Sequence, residues 1–163
     1  MIFREMGKVL SNEEIAYGII KTVISSPKIA SCALPGQFIN ILPKKDWEQV
    51  MRRPMSIASQ ENREISIIYK PIGEGTRIMA KWKIGELVDL IGPLGNYWQD
   101  YESHQSIIIG GGVGIAPIIN LHMRLLYNKI DHILIMGARN KNEHFLKNEP
   151  EKQIYLSTDD GSL

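Results

Sequence analysis

Four of the five residues from Gly110 to Gly114 are glycine, and they separate a β-branched run, Ser106–Ile109 (SIII), from an apolar-periodic stretch, Ala116 to about Asn128. A strand, a glycine turn and a helix in that order open a βα unit. Glycine lets the backbone turn sharply and approach a phosphate with no Cβ in the way. The helix behind it offers unpaired N–H groups and the positive end of its dipole to an anion. Pro117 suits a first helical turn, where no N–H is required. The strict G-x-G-x-x-G spacing is not met. Taken alone, the run fits phosphate binding or a tight turn without ligand, although four glycines exceed what a turn needs. Two more buried-type strands, His132–Met136 and Gln153–Leu156, with a short helix predicted over Lys141–Lys147, continue the alternation as a parallel sheet.

The chain before this point has another texture. Ala16–Val23, Gly36–Leu42, Met55–Ala58, Glu64–Tyr69 and Glu86–Ile91 are short β-rich runs bounded by Pro27, Pro35, Gly36 and Pro43, the last run ending at Gly92-Pro93. One helix is predicted among them, over Gly75–Trp82. Such strands at such spacing predict a small antiparallel barrel or sandwich. The polar stretch Gln99–Gln105 marks the boundary: residues 1–100 form the β-barrel domain and residues 101–163 the N-terminal part of an α/β domain. Three parallel strands are fewer than the five or six of a doubly wound sheet. With Asp160-Gly161-Ser162-Leu163 directly after a strand, the α/β domain is expected to be incomplete, leaving an open edge and an uncovered apolar face that invite association.

Composition excludes several classes. A formal net charge of +1 gives no case for nucleic acid or an anionic membrane surface. A single cysteine, Cys32, excludes an internal disulfide and, within this chain, a four-thiolate iron–sulfur cluster or a Cys-rich zinc site. Cys32 reads as a small packing residue. The N-terminus carries Arg4 and Glu5 where a signal peptide needs an apolar run. No stretch approaches the ~18 apolar residues of a membrane span, and the expected compartment is the cytoplasm. His104, His122, His132 and His144 show no metal-ligand spacing and pair with no nucleophile, so they read as surface or satisfied side chains. Trp82, Trp98 and Tyr97 read as core or rim.

Three further stretches carry chemistry. In Arg52-Arg53-Pro54-Met55-Ser56 an arginine beside a proline-fixed backbone can pair a pyrophosphate, and the hydroxyl can hydrogen-bond a ligand. In isolation the stretch reads rather as an exposed arginine pair entering a strand. Tyr69-Lys70-Pro71-Ile72-Gly73-Glu74-Gly75-Thr76 ends a strand and opens a helix at Thr76, either an anion-receptive geometry or an ordinary capped turn. Asp159-Asp160-Gly161-Ser162 follows the third strand of the α/β part. Carboxylates there can accept from a ribose diol and repel a 2′-phosphate, or form a solvated acidic turn.

A small β-barrel carrying R-P-x-S, then a strand, Gly-Thr and a helix, then G-G-G-V-G-I-A-P opening an α/β domain, resembles the ferredoxin–NADP reductase superfamily. Within it, Arg52–Ile57, Gly73–Thr76, Ile91-Gly92-Pro93-Leu94-Gly95-Asn96 and Ser157–Ser162 are similar to the electron-transfer subunits of class B dihydroorotate dehydrogenase, over essentially the whole chain. The resemblance implies a ferredoxin reductase-like fold, a FAD-binding β-barrel followed by a partial α/β parallel-sheet nucleotide-binding domain. It implies Arg53 at the FAD pyrophosphate beside Pro54, and Ser56 near the reactive edge of the isoalloxazine. Met55 stands where many relatives have Tyr and would set a thioether against the ring. Ile68, Tyr69 and Lys70 match the next flavin-contacting strand, and Gly75 and Thr76 the helix N-terminus facing FAD phosphate. Gly110, Gly111, Gly112, Val113 and Gly114 match the NAD pyrophosphate loop, with Asp159 and Asp160 favouring NADH.

The implied function is electron relay in pyrimidine biosynthesis, from NADH through FAD to a partner catalytic dihydroorotate dehydrogenase subunit, in a heterotetramer-type assembly. An iron–sulfur cluster is implied only for a full-length parent, on cysteines beyond Leu163, and the NADH site here is incomplete. Because the flavin carries the redox steps, no catalytic acid or base and no metal ligand is assigned. Two alternatives share these features: a stand-alone NAD(P)H–flavin reductase, and a non-catalytic flavin-binding remnant. The chain by itself is expected to be inactive in electron relay.

Overall fold

In the computed structural model of the chain, residues 1–44, 51–102 and 105–163 are described. Ser103 and His104, within the expected linker, lie outside them. The first sheet has seven strands: β1 (Phe3–Ala16), β2 (Ile19–Ser25), β3 (Phe38–Leu42), β4 (Arg53–Ser56), β5 (Ser59–Glu61), β6 (Glu64–Tyr69) and β7 (Leu87–Leu94). Their spatial order is β4-β3-β7-β1-β2-β6-β5, with every pairing antiparallel. Beyond β4 the chain bonds both ways, Ile57 N–H to Gln37 O at 3.1 Å and Ala58 N–H to Ser66 O at 2.8 Å, so the sheet curls towards a barrel. Its interior holds Val9, Ile24, Ile39, Ile41, Ile57, Ile65, Ile67, Met79, Trp82 and Leu90. Two short helices, α1 (Pro27–Ala30) and α2 (Glu74–Met79), join strands.

Several boundaries differ from the sequence reading. β1 was absent from it because Arg4, Glu5, Lys8, Glu13 and Glu14 mask the pattern; the strand is held by pairing on both sides, to β2 and β7. β7 runs past Gly92-Pro93, a cis peptide, to Leu94, because Phe3 and Phe38 on the flanking strands pair there with Gly92 and Leu94. The helix expected at Thr76 starts at Glu74, and the Thr76 hydroxyl turns back to accept from Gly73 N–H at 3.1 Å.

The second sheet is parallel, in the order β10-β9-β8: β8 (Ser106–Gly111), β9 (His132–Ala138) and β10 (Ile154–Thr158). α3 (Ile115–Tyr127) packs Ile115, Leu121 and Leu125 on Ile108, Leu134 and Met136. On the alternate positions Ile107 and Ile109 stay 61% and 64% exposed. The helix expected over Lys141–Lys147 is only a 3-10 turn, Lys141–Glu143. Asn140 Oδ1 accepts from Asn142 N–H at 3.0 Å and starts the turn, but His144 is already extended, since its neighbours are drawn onto the barrel.

A seam joins the two units. Asn120 Nδ2, on α3, donates to Ile57 O at 2.9 Å, and Tyr17 N–H donates to Asn142 O at 2.9 Å. Between them Ile19, Ala58 and Ile68 from the barrel pack on Ala116 and Phe145. No helix among the described residues is long and apolar enough to cross a membrane.

Candidate functional site

The two adjacent arginines have different work. Arg52 is tied down: its Nη2 pairs with Asp89 Oδ2 at 2.9 Å, and its Nη1 donates to Asp89 O at 3.0 Å and Asn40 O at 3.3 Å. Arg4 grips the same carboxylate from β1, Nη2 to Oδ2 at 2.7 Å and Nε to Oδ1 at 3.2 Å. Burial alone would raise the Asp89 pKa, but hydrogen bonds and charge from Arg4 and Arg52 hold it below the usual carboxylate range. Arg53, by contrast, bonds among the described residues only to neighbouring backbone, Nη1 to Met51 O at 2.9 Å and Arg52 O at 3.5 Å. Because Arg4 is mostly exposed, Arg4→Ala is expected to cost little unfolding free energy. Arg52→Ala, at a buried partner, should cost about 1.5 kcal/mol. Urea titration of the two variants checks the ranking.

Two of the sequence motifs meet at Arg53. A Cβ at Gly75 would lie 2.9 Å from Arg53 Nε, 3.2 Å from its Cγ and 3.3 Å from Pro43 Cγ. Gly75 is therefore glycine because the guanidinium lies across the start of α2. The Arg53 side chain thus lies against the start of α2.

The glycine loop divides by physical cause. A Cβ at Gly110 would come 2.8 Å from Ile115 Cδ1, so packing alone demands that glycine. Gly112 has φ +53°, so backbone conformation demands the second. Gly111 and Gly114 have neither reason: a Cβ at either would meet nothing of the chain within 4 Å. They present bare backbone at the carboxyl end of β8 and the start of α3, where open α/β sheets bind their ligands. Bare backbone at these two positions leaves room for the close approach of a group such as a pyrophosphate.

Other expected residues are placed differently. Tyr69 is buried in the barrel, its hydroxyl bonded to Thr22 Oγ1 at 3.3 Å and Asn12 Oδ1 at 3.4 Å, and burial pushes its pKa up to about 12. Ile68 lies in the seam. Lys70 Nζ pairs with Glu143 Oε2 at 2.7 Å, and that hydrogen bond holds the Glu143 carboxyl below its ordinary range. Met55 packs partly buried against the barrel core. At the end of β10 the exposed Asp160 carboxylate accepts from Ser162 N–H at 3.0 Å, which leaves the exposed Asp159 the freer to meet a diol. The sequence reading missed Asp89, Asn120 and Glu143. A carboxylate inside ELVDLI and an amide on the apolar face of α3 were visible signals; Glu143 had none, since its partner is on another element.

His122 and His132 form a buried pair beneath the α/β sheet, Nδ1 to Nε2 at 2.7 Å, and His132 Nδ1 bonds Ile130 O at 2.8 Å. The Ile130 carbonyl requires a proton on His132 Nδ1, so His132 Nε2 accepts from His122 Nδ1–H. Burial, reinforced by His132, lowers the His122 pKa to about 4. Among the described residues no group of three or more His, Cys, Asp or Glu is arranged to hold a metal ion.

No family model matches the chain. It is 36% identical, over 162 residues, to the dihydroorotate dehydrogenase B (NAD(+)) electron transfer subunit of Fusobacterium nucleatum, an alignment covering 95% of this chain and 62% of that one. The subunit of the same name from Bacillus mycoides is 34% identical, over 94% of this chain and 62% of its own. The chain thus spans about 62% of the length of these relatives. Among solved structures, an NADH-dependent reduced ferredoxin-NADP oxidoreductase superposes with a TM-score of 0.77 at 25% identity, covering 94% of this chain and 56% of that one. Phthalate dioxygenase reductase superposes with a TM-score of 0.78 at 20% identity, covering 98% and 51%. The chain shares the ferredoxin reductase-like fold of these structures, and its sequence is similar to those of dihydroorotate dehydrogenase B electron transfer subunits.

Proposed function

We propose that the chain is the flavin-binding and nucleotide-facing part of a cytoplasmic electron-transfer subunit, taking electrons from NADH through FAD towards a partner dihydroorotate dehydrogenase. The observation that carries this reading is the pair Gly111 and Gly114, bare of Cβ where neither packing nor backbone conformation asks for it. The names of the relatives supply the substrate and the partner. Bound FAD would supply the redox chemistry, accepting a hydride and releasing electrons singly.

The residues of this chain bind and orient. Arg53 offers a guanidinium to the FAD pyrophosphate, beside the N–H groups at the start of α2. Ser56, at the end of β4, offers its hydroxyl to the edge of the ring. β4 ends two residues before Ala58 and the glycine loop two residues before Ala116, and these two alanines share the apolar cluster of the seam. Flavin strand and nucleotide loop are thereby held in one relation, which is what transfer between two bound groups requires. The full-length protein's cluster and its assembly with a catalytic subunit extend the same reading.

Titrating the protein with FAD and following quenching of flavin fluorescence tests the proposal; saturable one-to-one binding is expected, and none would overturn it. At the nucleotide end, a 2′-phosphate would meet the Asp159 carboxylate. In the full-length subunit NADH should therefore reduce the bound flavin in preference to NADPH, and Asp159→Ser should narrow the difference. Equal use of both by the unaltered protein would count against Asp159.

A further inference from the structure

Among the described residues, a charged contact crosses the seam between barrel and α/β unit, and it falls on a residue that the resemblance assigns to flavin. Lys70 directly follows β6, and its ammonium reaches Glu143 Oε2 at 2.7 Å, on the turn after β9. Both side chains are largely buried, with 22% and 10% exposure, so neither charge is satisfied mainly by water. The same turn supplies Asn142 O to Tyr17 N–H, and Phe145 to the cluster of Ile19, Ala58, Ile68 and Ala116. One segment, 142–145, therefore touches the barrel by a charge, a backbone hydrogen bond and an apolar ring. Glu143 also takes a backbone hydrogen bond from Arg139 and feels its charge, so it is removal of Glu143 that leaves a largely buried charge, the Lys70 ammonium, without its carboxylate.

We infer that Glu143 is a positioning residue for nucleotide-to-flavin transfer: by capturing Lys70 it sets the glycine loop against the flavin strand. Lys70 then acts through Glu143 rather than on the flavin. This rests on the reading of the chain as a flavin and nucleotide protein. The geometry supports it because both ends of the tie lie next to site elements. Lys70 is three residues before Gly73, the N-cap of α2. Glu143 follows β9, which pairs in parallel with β8 up to Gly111 opposite Gly137. Slack in the tie would shift the loop while leaving each half folded.

The test uses the full chain loaded with FAD, with Glu143→Gln and the charge swap Lys70→Glu with Glu143→Lys. For Glu143→Gln we expect FAD affinity within twofold of the parent and amide exchange at Tyr17 and 142–145 about tenfold faster. Flavin reduction by NADH should fall mainly in its limiting rate. The swap should restore slow exchange and the rate, which a merely structural loss would not do. Unchanged exchange at Tyr17 in Glu143→Gln overturns the inference, as does a swap that restores neither quantity. A flavin affinity lost in the swap but kept in Glu143→Gln overturns it too, because Lys70 would then serve the flavin directly. Failure of the unaltered chain to bind FAD would instead overturn the functional reading, with the exchange measurements still deciding whether the tie exists.

Discussion

Replacing Arg53 by alanine is expected to weaken FAD binding by about 10- to 150-fold, the equivalent of ~1.5–3 kcal/mol for a charge-assisted contact to a pyrophosphate. Thermal stability should barely move, because among the described residues Arg53 bonds only neighbouring backbone, Met51 O and Arg52 O. Arg52→Ala should behave in the opposite way, since Arg52 is engaged with Asp89 and Asn40. Gly75→Val provides an independent check. Its Cβ would stand 2.9 Å from Arg53 Nε, so the guanidinium must move and affinity should fall although the arginine is retained. Fluorescence titration of the three variants reads all of this, and an unchanged affinity in Arg53→Ala would remove that residue from the site.

Acid should unfold the protein through the histidine pair. In the folded chain His122 stays neutral down to about pH 4, whereas in the unfolded chain it protonates near 6.5. A folded-state pKa that is depressed means stability is complete above pH 6.5 and is lost as pH falls from there to about 4, with no further loss from this group below. At about 1.4 kcal/mol per pKa unit the contribution is at most roughly 3.5 kcal/mol. Protonation would fall on His122 Nε2, because Nδ1 already carries the hydrogen given to His132, so its cost is that of placing a charge in a buried pair. His122→Asn places an amide N–H where Nδ1–H stands and cannot titrate. Urea unfolding at pH 7, 6, 5 and 4 should show a shallower loss in that variant. An identical slope in both proteins would mean that the pair is not the acid-sensitive element.

Legibility differed by element, for physical reasons. β6 was read to the residue, because Ile65 to Tyr69 are all buried and flanked by turn residues. α3 was read to within a residue at each end, because its apolar face and the preceding glycines are local signals. β1 and the turn at Lys141–Glu143 were not, since both are held by partners distant in sequence: β1 by β2 and β7, the turn by the barrel. The candidate site divides in the same way. The glycine loop and Arg53 were visible as motifs. That Gly110 serves packing, Gly112 conformation and Gly111 and Gly114 neither required coordinates.

Residue order alone determined that an antiparallel β unit precedes a βα unit, because strand length, turn residues and a glycine run ahead of an apolar helix face are set by covalent neighbours. It also carried the likeness to electron transfer subunits, which lives in short contiguous motifs. Only the tertiary structure decided which of two adjacent arginines is tied to a carboxylate, since Asp89 arrives from a strand 37 residues later in the chain. Tertiary structure likewise turned Tyr69 into the barrel core and gave Lys70 to Glu143. A charged side chain takes whichever partner the fold brings within reach, and no local pattern encodes that partner when it comes from another sheet.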